Sequence, residues 1–91
     1  MGASEDIRAQ AATWRAAARL SRERARRVAS LGGLRWEAPA AEEFRVRLGE
    51  RAAGLRRLAE LEDSVGEALD GVAGVLDDAE RVLVLLGASR P

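Results

Sequence analysis

Apolar and small residues recur along the first third of the chain at Ile7, Ala11, Trp14, Ala18, Ser21, Ala25 and Val28, in alternating steps of four and three. That spacing keeps one side of an α-helix in phase and predicts a single amphipathic helix over about residues 4–31. Ser4 is placed to cap it, and Glu5 and Asp6 fall in the first turn, where the helix dipole favours acids. Gly32-Gly33 supplies the residues expected just beyond its end. Ala and Ser dominate the stripe, so a neighbouring helix can approach closely. Trp14 is its one aromatic and reads as core.

A second stripe begins after Pro39 and runs Phe44, Leu48, Arg51, Leu55, Leu58, Glu62, Val65, Leu69, Val72, Leu76, Ala79, Leu83, Leu86, broken only by Arg51 and Glu62. It predicts a helix over 39–86, with Pro39, Glu42 and Glu43 suiting the first turn and Gly87 the stop. Beyond residue 60 the adjoining Leu61, Ala68, Val75 and Val82 are apolar too, and a wider stripe implies more than one neighbouring helix. Gly49, Gly54, Gly66, Gly71 and Gly74 lie inside this pattern, each costing roughly 1 kcal/mol relative to Ala. The segment 70–74 is the best candidate for a break, with a third helix folding back from Gly71 as the alternative. The unbroken apolar phase favours one continuous helix.

The resulting fold class is all-α: an antiparallel helical hairpin forming a single domain over 1–91, with frayed ends at 1–3 and 87–91. At ~1.5 Å per residue the second helix is about 70 Å long and the first about 40 Å. With a tight turn near 34–35, Ile7 lies across from Glu62, which leaves roughly twenty C-terminal residues without cover inside the chain. Two helices cannot enclose both stripes, so the hairpin is expected to dimerise into a four-helix bundle. The expected interface is Ile7, Trp14, Val65, Leu69, Val72, Leu76, Leu83 and Leu86. Glu62, alone among the acids on the apolar stripe, is placed to pair with an Arg across it.

Composition removes most chemistry. The chain has no Cys and no His, which excludes disulfides, thiol nucleophiles, imidazole bases and the usual zinc or haem ligands. The acids Glu60, Glu62, Asp63, Glu67, Asp70, Asp77, Asp78 and Glu80 read as the polar side of an amphipathic helix, and no phosphate loop, metal motif or nucleophile elbow is present. No catalytic, cofactor-binding or metal residue is assigned, and no enzymatic activity is expected. Fifteen Arg balance fifteen acids. With that balance and no aromatic interleaving in the cluster Arg22, Arg24, Arg26, Arg27, no nucleic-acid partner is expected. The charge is uneven, however: residues 1–37 carry eight Arg and four acids, residues 38–91 seven Arg and eleven acids. Two parts of opposite sign attract each other or a second chain. The N-terminal sequence offers no signal peptide, and Val82–Leu86, the longest aliphatic run, is far too short to span a bilayer.

Between the helices lies Trp36-Glu37-Ala38-Pro39-Ala40-Ala41-Glu42-Glu43-Phe44. This run resembles the WXG family of small type VII (ESX) secretion substrates, helical hairpins with Trp-x-Gly in the turn. Trp36, Glu37 and Ala38 stand at the motif positions, with Ala38 where the family has Gly. Phe44, with Arg45 and Leu48 beyond it, looks like the start of the second helix in actinobacterial members. The resemblance implies a non-enzymatic protein that folds in the cytoplasm and leaves without a cleavable signal peptide, its turn serving as recognition surface. Family members or their partners carry a C-terminal Tyr-x-x-x-Asp/Glu signal, and this chain has no Tyr. The resemblance therefore implies either export with a homo- or heterodimeric hairpin partner that supplies the signal, or a cytoplasmic helper of a larger secreted toxin. The alternative reading is a structural coiled-coil adaptor unrelated to secretion.

Overall fold

A computed structural model describes residues 2–32 and 39–88. They form two helices, α1 (Ala3–Gly32) and α2 (Pro39–Ala88), packed antiparallel as a hairpin. α2 is continuous through Asp70–Gly74, so no third helix folds back at Gly71. It also passes through Gly87, the expected stop, to Ala88. α1 begins one residue before Ser4, with the Asp6 amide donating to the Gly2 carbonyl. Ser4 is thus not the cap. It lies inside the first turn and is buried.

The layer is long and thin. Its Cα extents are 83 × 16 × 12 Å and its radius of gyration is 21.9 Å, against about 12 Å for a compact chain of this length. A structure one helix thick has no interior, only a seam. Among the described residues the buried apolar ones are Ala11, Ala18, Ala25, Ala41, Leu48, Ala52, Ala59 and Ala73, and no large side chain is fully buried. Gly66 is buried with them. A Cβ there would stand 3.2 Å from the Ala11 carbonyl oxygen and 3.3 Å from Arg15 Cγ, so the close approach of the helices requires glycine at this point.

On one side of the seam a ladder of ion pairs fixes the register. Arg8 pairs with Asp77, Arg15 with Asp70 and Arg22 with Asp63, each rung seven residues further along α1 and seven back along α2. Gly2 abuts Glu80, so α1 covers α2 nearly to residue 80. Only Arg81–Ala88 project beyond it, rather than the twenty residues expected from a tight turn. The register follows the fit of small residues and the rungs, and not the shortest connection between the helices.

Candidate functional site

The expected α1 stripe is the one that faces α2. Ala11, Ala18, Ser21 and Ala25 are buried, and Ile7 and Val28 half-buried. Trp14 departs from its reading as core, being 41% exposed. An indole cannot enter a seam whose facing residues are Ala and Gly, so it lies along the seam's edge.

For α2 the stripe splits in two. Leu48, Leu55, Glu62, Leu69 and Leu76 point towards α1 and are buried or half-buried. The alternating members Phe44, Leu58, Val65 and Val72 do not; they are exposed, and the seam instead takes the adjacent column Ala52, Ala59, Gly66 and Ala73. Counted from Leu58, a second regular row emerges: Leu58, Leu61, Val65, Ala68, Val72, Val75, Ala79, Val82, Leu86, in strict steps of three and four, and every member is exposed. This is the spacing of a helix–helix seam, present on a side of α2 that α1 does not touch.

Helical phase shows where this row lies. At about 100° per residue, the Asp63, Asp70 and Asp77 column falls on one side of the Ala59–Gly66–Ala73 line and the Leu58, Val65, Val72 column on the other. In α1, Arg8, Arg15 and Arg22 flank the Ala line on the ladder side, while Ile7, Trp14 and Val28 flank it opposite. The hairpin therefore has a charged face and an apolar face. Of the residues expected at an interface, Ile7, Trp14, Val65, Leu69, Val72 and Leu76 border this apolar face. Leu83 and Leu86 sit on the projecting end of α2, exposed. Trp36, Glu37 and Ala38 lie outside the described residues. Phe44 is on α2 and 42% exposed.

Two polar features border the seam. Glu62 is buried and accepts a hydrogen bond from Ser21 Oγ at 2.6 Å, so an intrachain hydroxyl meets the carboxylate that the sequence offered to an Arg. Asp77 is held below the usual carboxylate range by the Arg8 guanidinium and then by the Ser4 hydroxyl, and Asp77 in turn raises Arg8. The ladder was missed from sequence although its signal is plain in retrospect: Arg at 8, 15, 22 and Asp at 63, 70, 77 share a seven-residue step.

Clefts mark the two ends. Arg24, Arg27, Val28, Arg51 and Leu55 line one near the connection, and Asp77, Glu80, Arg81, Val84 and Leu85 line a groove where α1 ends. Among the described residues no group of three or more acids is arranged to hold a metal ion, and no helix is long and apolar enough to cross a membrane. Compared with family models, with curated proteins and with solved structures, the chain shows no match to any.

Proposed function

We propose that this chain is a non-enzymatic type VII secretion substrate, co-substrate or targeting partner that acts by pairing with another helical hairpin into a four-helix bundle. The observation that carries the reading is the exposed row from Leu58 to Val82 beside Trp14. Burying a Val or Leu side chain contributes roughly 1.5–3 kcal/mol, and a seam made of Ala leaves most of that stabilisation to an external partner. The motif Trp36-Glu37-Ala38 with Phe44 supports the secretion class. On this reading the chain folds in the cytoplasm and leaves with its partner, or stays behind as helper to a larger secreted toxin.

The experiment is Trp36→Ala in a host with type VII machinery, following helicity together with export or partner capture. Helicity should persist while export or capture is lost. Loss of folding with no separate effect on export would reduce Trp36 to a staple and remove its recognition role. The regular row on α2 equally suits a coiled-coil adaptor, which a coding sequence far from type VII genes would favour.

A further inference from the structure

The arginines of the hairpin differ in what neutralises them. Arg15 and Arg22 pair with aspartates across the seam, and Arg8 does so as well. Arg19, Arg26, Arg27, Arg45, Arg47, Arg56, Arg57 and Arg81 each have an acid three or four residues away on the same helix, within reach of a side-chain pair. Arg24 and Arg51 have neither. The residues three and four away from Arg24 are Leu20, Ser21, Arg27 and Val28, and those around Arg51 are Arg47, Leu48, Gly54 and Leu55. No ion pair or hydrogen bond engages either guanidinium among the described residues. By helical phase both stand on the Trp14 side of the seam, away from the aspartate ladder.

The fold brings these two cations to one place. Arg24, Arg27, Val28, Arg51 and Leu55 line a cleft of about 350 Å³, and no acid lines it. Arg27 is bonded to Glu23, while Val28 and Leu55 are half-buried and give the cleft an aliphatic wall. The surroundings add to its field. The half of the hairpin next to the connection, residues 19–32 and 39–58, carries ten Arg and four acids, against three Arg and ten acids in residues 3–18 and 59–88. Such a concentration of one sign draws anions towards the cleft.

We infer that this cleft binds a phosphate monoester of an aliphatic alcohol. Two uncompensated cations match a group that carries nearly two negative charges at neutral pH, and a guanidinium fork donates to phosphate oxygens in parallel pairs. The hydrocarbon lies against Val28 and Leu55. The volume is at the lower end of the range for small-molecule sites, about 300–1,000 Å³, which suits a short chain. A soluble alkyl phosphate and the headgroup of a lipid offer the same chemistry. The site goes beyond the hairpin pairing proposed above and does not depend on it.

The test is a titration of the full chain with octyl phosphate below its micelle concentration, followed by amide chemical shifts. Shifts should concentrate at Arg24–Val28 and Arg51–Leu55. Inorganic phosphate should bind at least about tenfold more weakly, octanol should leave the cleft unmoved, and added salt should weaken the complex. Arg24→Gln/Arg51→Gln should lower the affinity for octyl phosphate at least about tenfold with helicity unchanged by circular dichroism. Arg26→Gln/Arg56→Gln removes the same charge elsewhere in the Arg-rich half and should lower it far less. Flotation with vesicles carrying phosphatidic acid separates the two sources: comigration lost in Arg24→Gln/Arg51→Gln assigns the lipid headgroup, and octyl phosphate binding without comigration assigns the soluble ester. Equal losses in the two double variants would reduce the effect to diffuse attraction and overturn the cleft. Inorganic phosphate binding as tightly as octyl phosphate overturns the aliphatic wall, and no shift at millimolar octyl phosphate overturns the site.

Discussion

Two glycines of α2 make opposite demands at the scale of single residues. Gly71 faces open space, with nothing within 4 Å of where a Cβ would stand. It holds ordinary helical backbone, since no described glycine has positive φ. Gly71→Ala should therefore raise stability by about 0.5–1 kcal/mol through helix propensity alone. Gly66 has the same propensity cost but sits 3.2 Å from a backbone carbonyl oxygen of α1, and a helix backbone cannot yield without parting the seam. Gly66→Ala should lower stability by about 1 kcal/mol. Urea unfolding of the two variants checks both, and a stabilising Gly66→Ala would show that the close approach is not maintained. Sequence alone gave the five glycines the same helix cost and singled out 70–74 rather than Gly66, because propensity is a property of one helix and close approach of two.

At the scale of elements, both helices and their connectivity were legible in the sequence, and the facing column of α2 was not. Leu48, Leu55, Glu62, Leu69 and Leu76 belong to both candidate stripes, and hydrophobicity favoured completing the row with Phe44, Leu58, Val65 and Val72. Packing completed it with Ala52, Ala59, Gly66 and Ala73, because α1 offers Ala11, Ala18 and Ala25 and small residues on both sides let the backbones close up. Periodicity finds a stripe; it does not say which neighbour each edge of the stripe serves. The ladder has its own consequence. Asp77 has a folded-state pKa below its unfolded value, through the Arg8 and Ser4 hydrogen bonds, so its contribution is present above pH ~4 and is lost as pH falls through the lower folded value. Arg8 is raised and stays charged throughout. Thermal scans from pH 6 to pH 2 should show stability declining below about 4, and Asp77→Asn should decline less steeply. An identical acid profile in Asp77→Asn would remove this rung from the account.

At the scale of the whole molecule, cover ends before α2 does. Hydrogen exchange should be fastest within α2 over 81–88 and slowest over 59–73, where α1 lies alongside. Uniform protection to the last turn would mean that the projecting end is held by something besides α1. The same long, repetitive layer raises the question of how two rows of Ala choose one alignment. Sliding α2 by one heptad would lay Ala on Ala almost as well. In one direction the slide sets Arg22 beside Arg56, which occupies the place of a fourth aspartate. In the other it strands Arg8 beside Val84 and brings Ala73 to the tight spot that only Gly66 fits. The three rungs thus work as a vernier: each adds little to the depth of the folded state, but together with one glycine they leave a single mark at which the two scales agree.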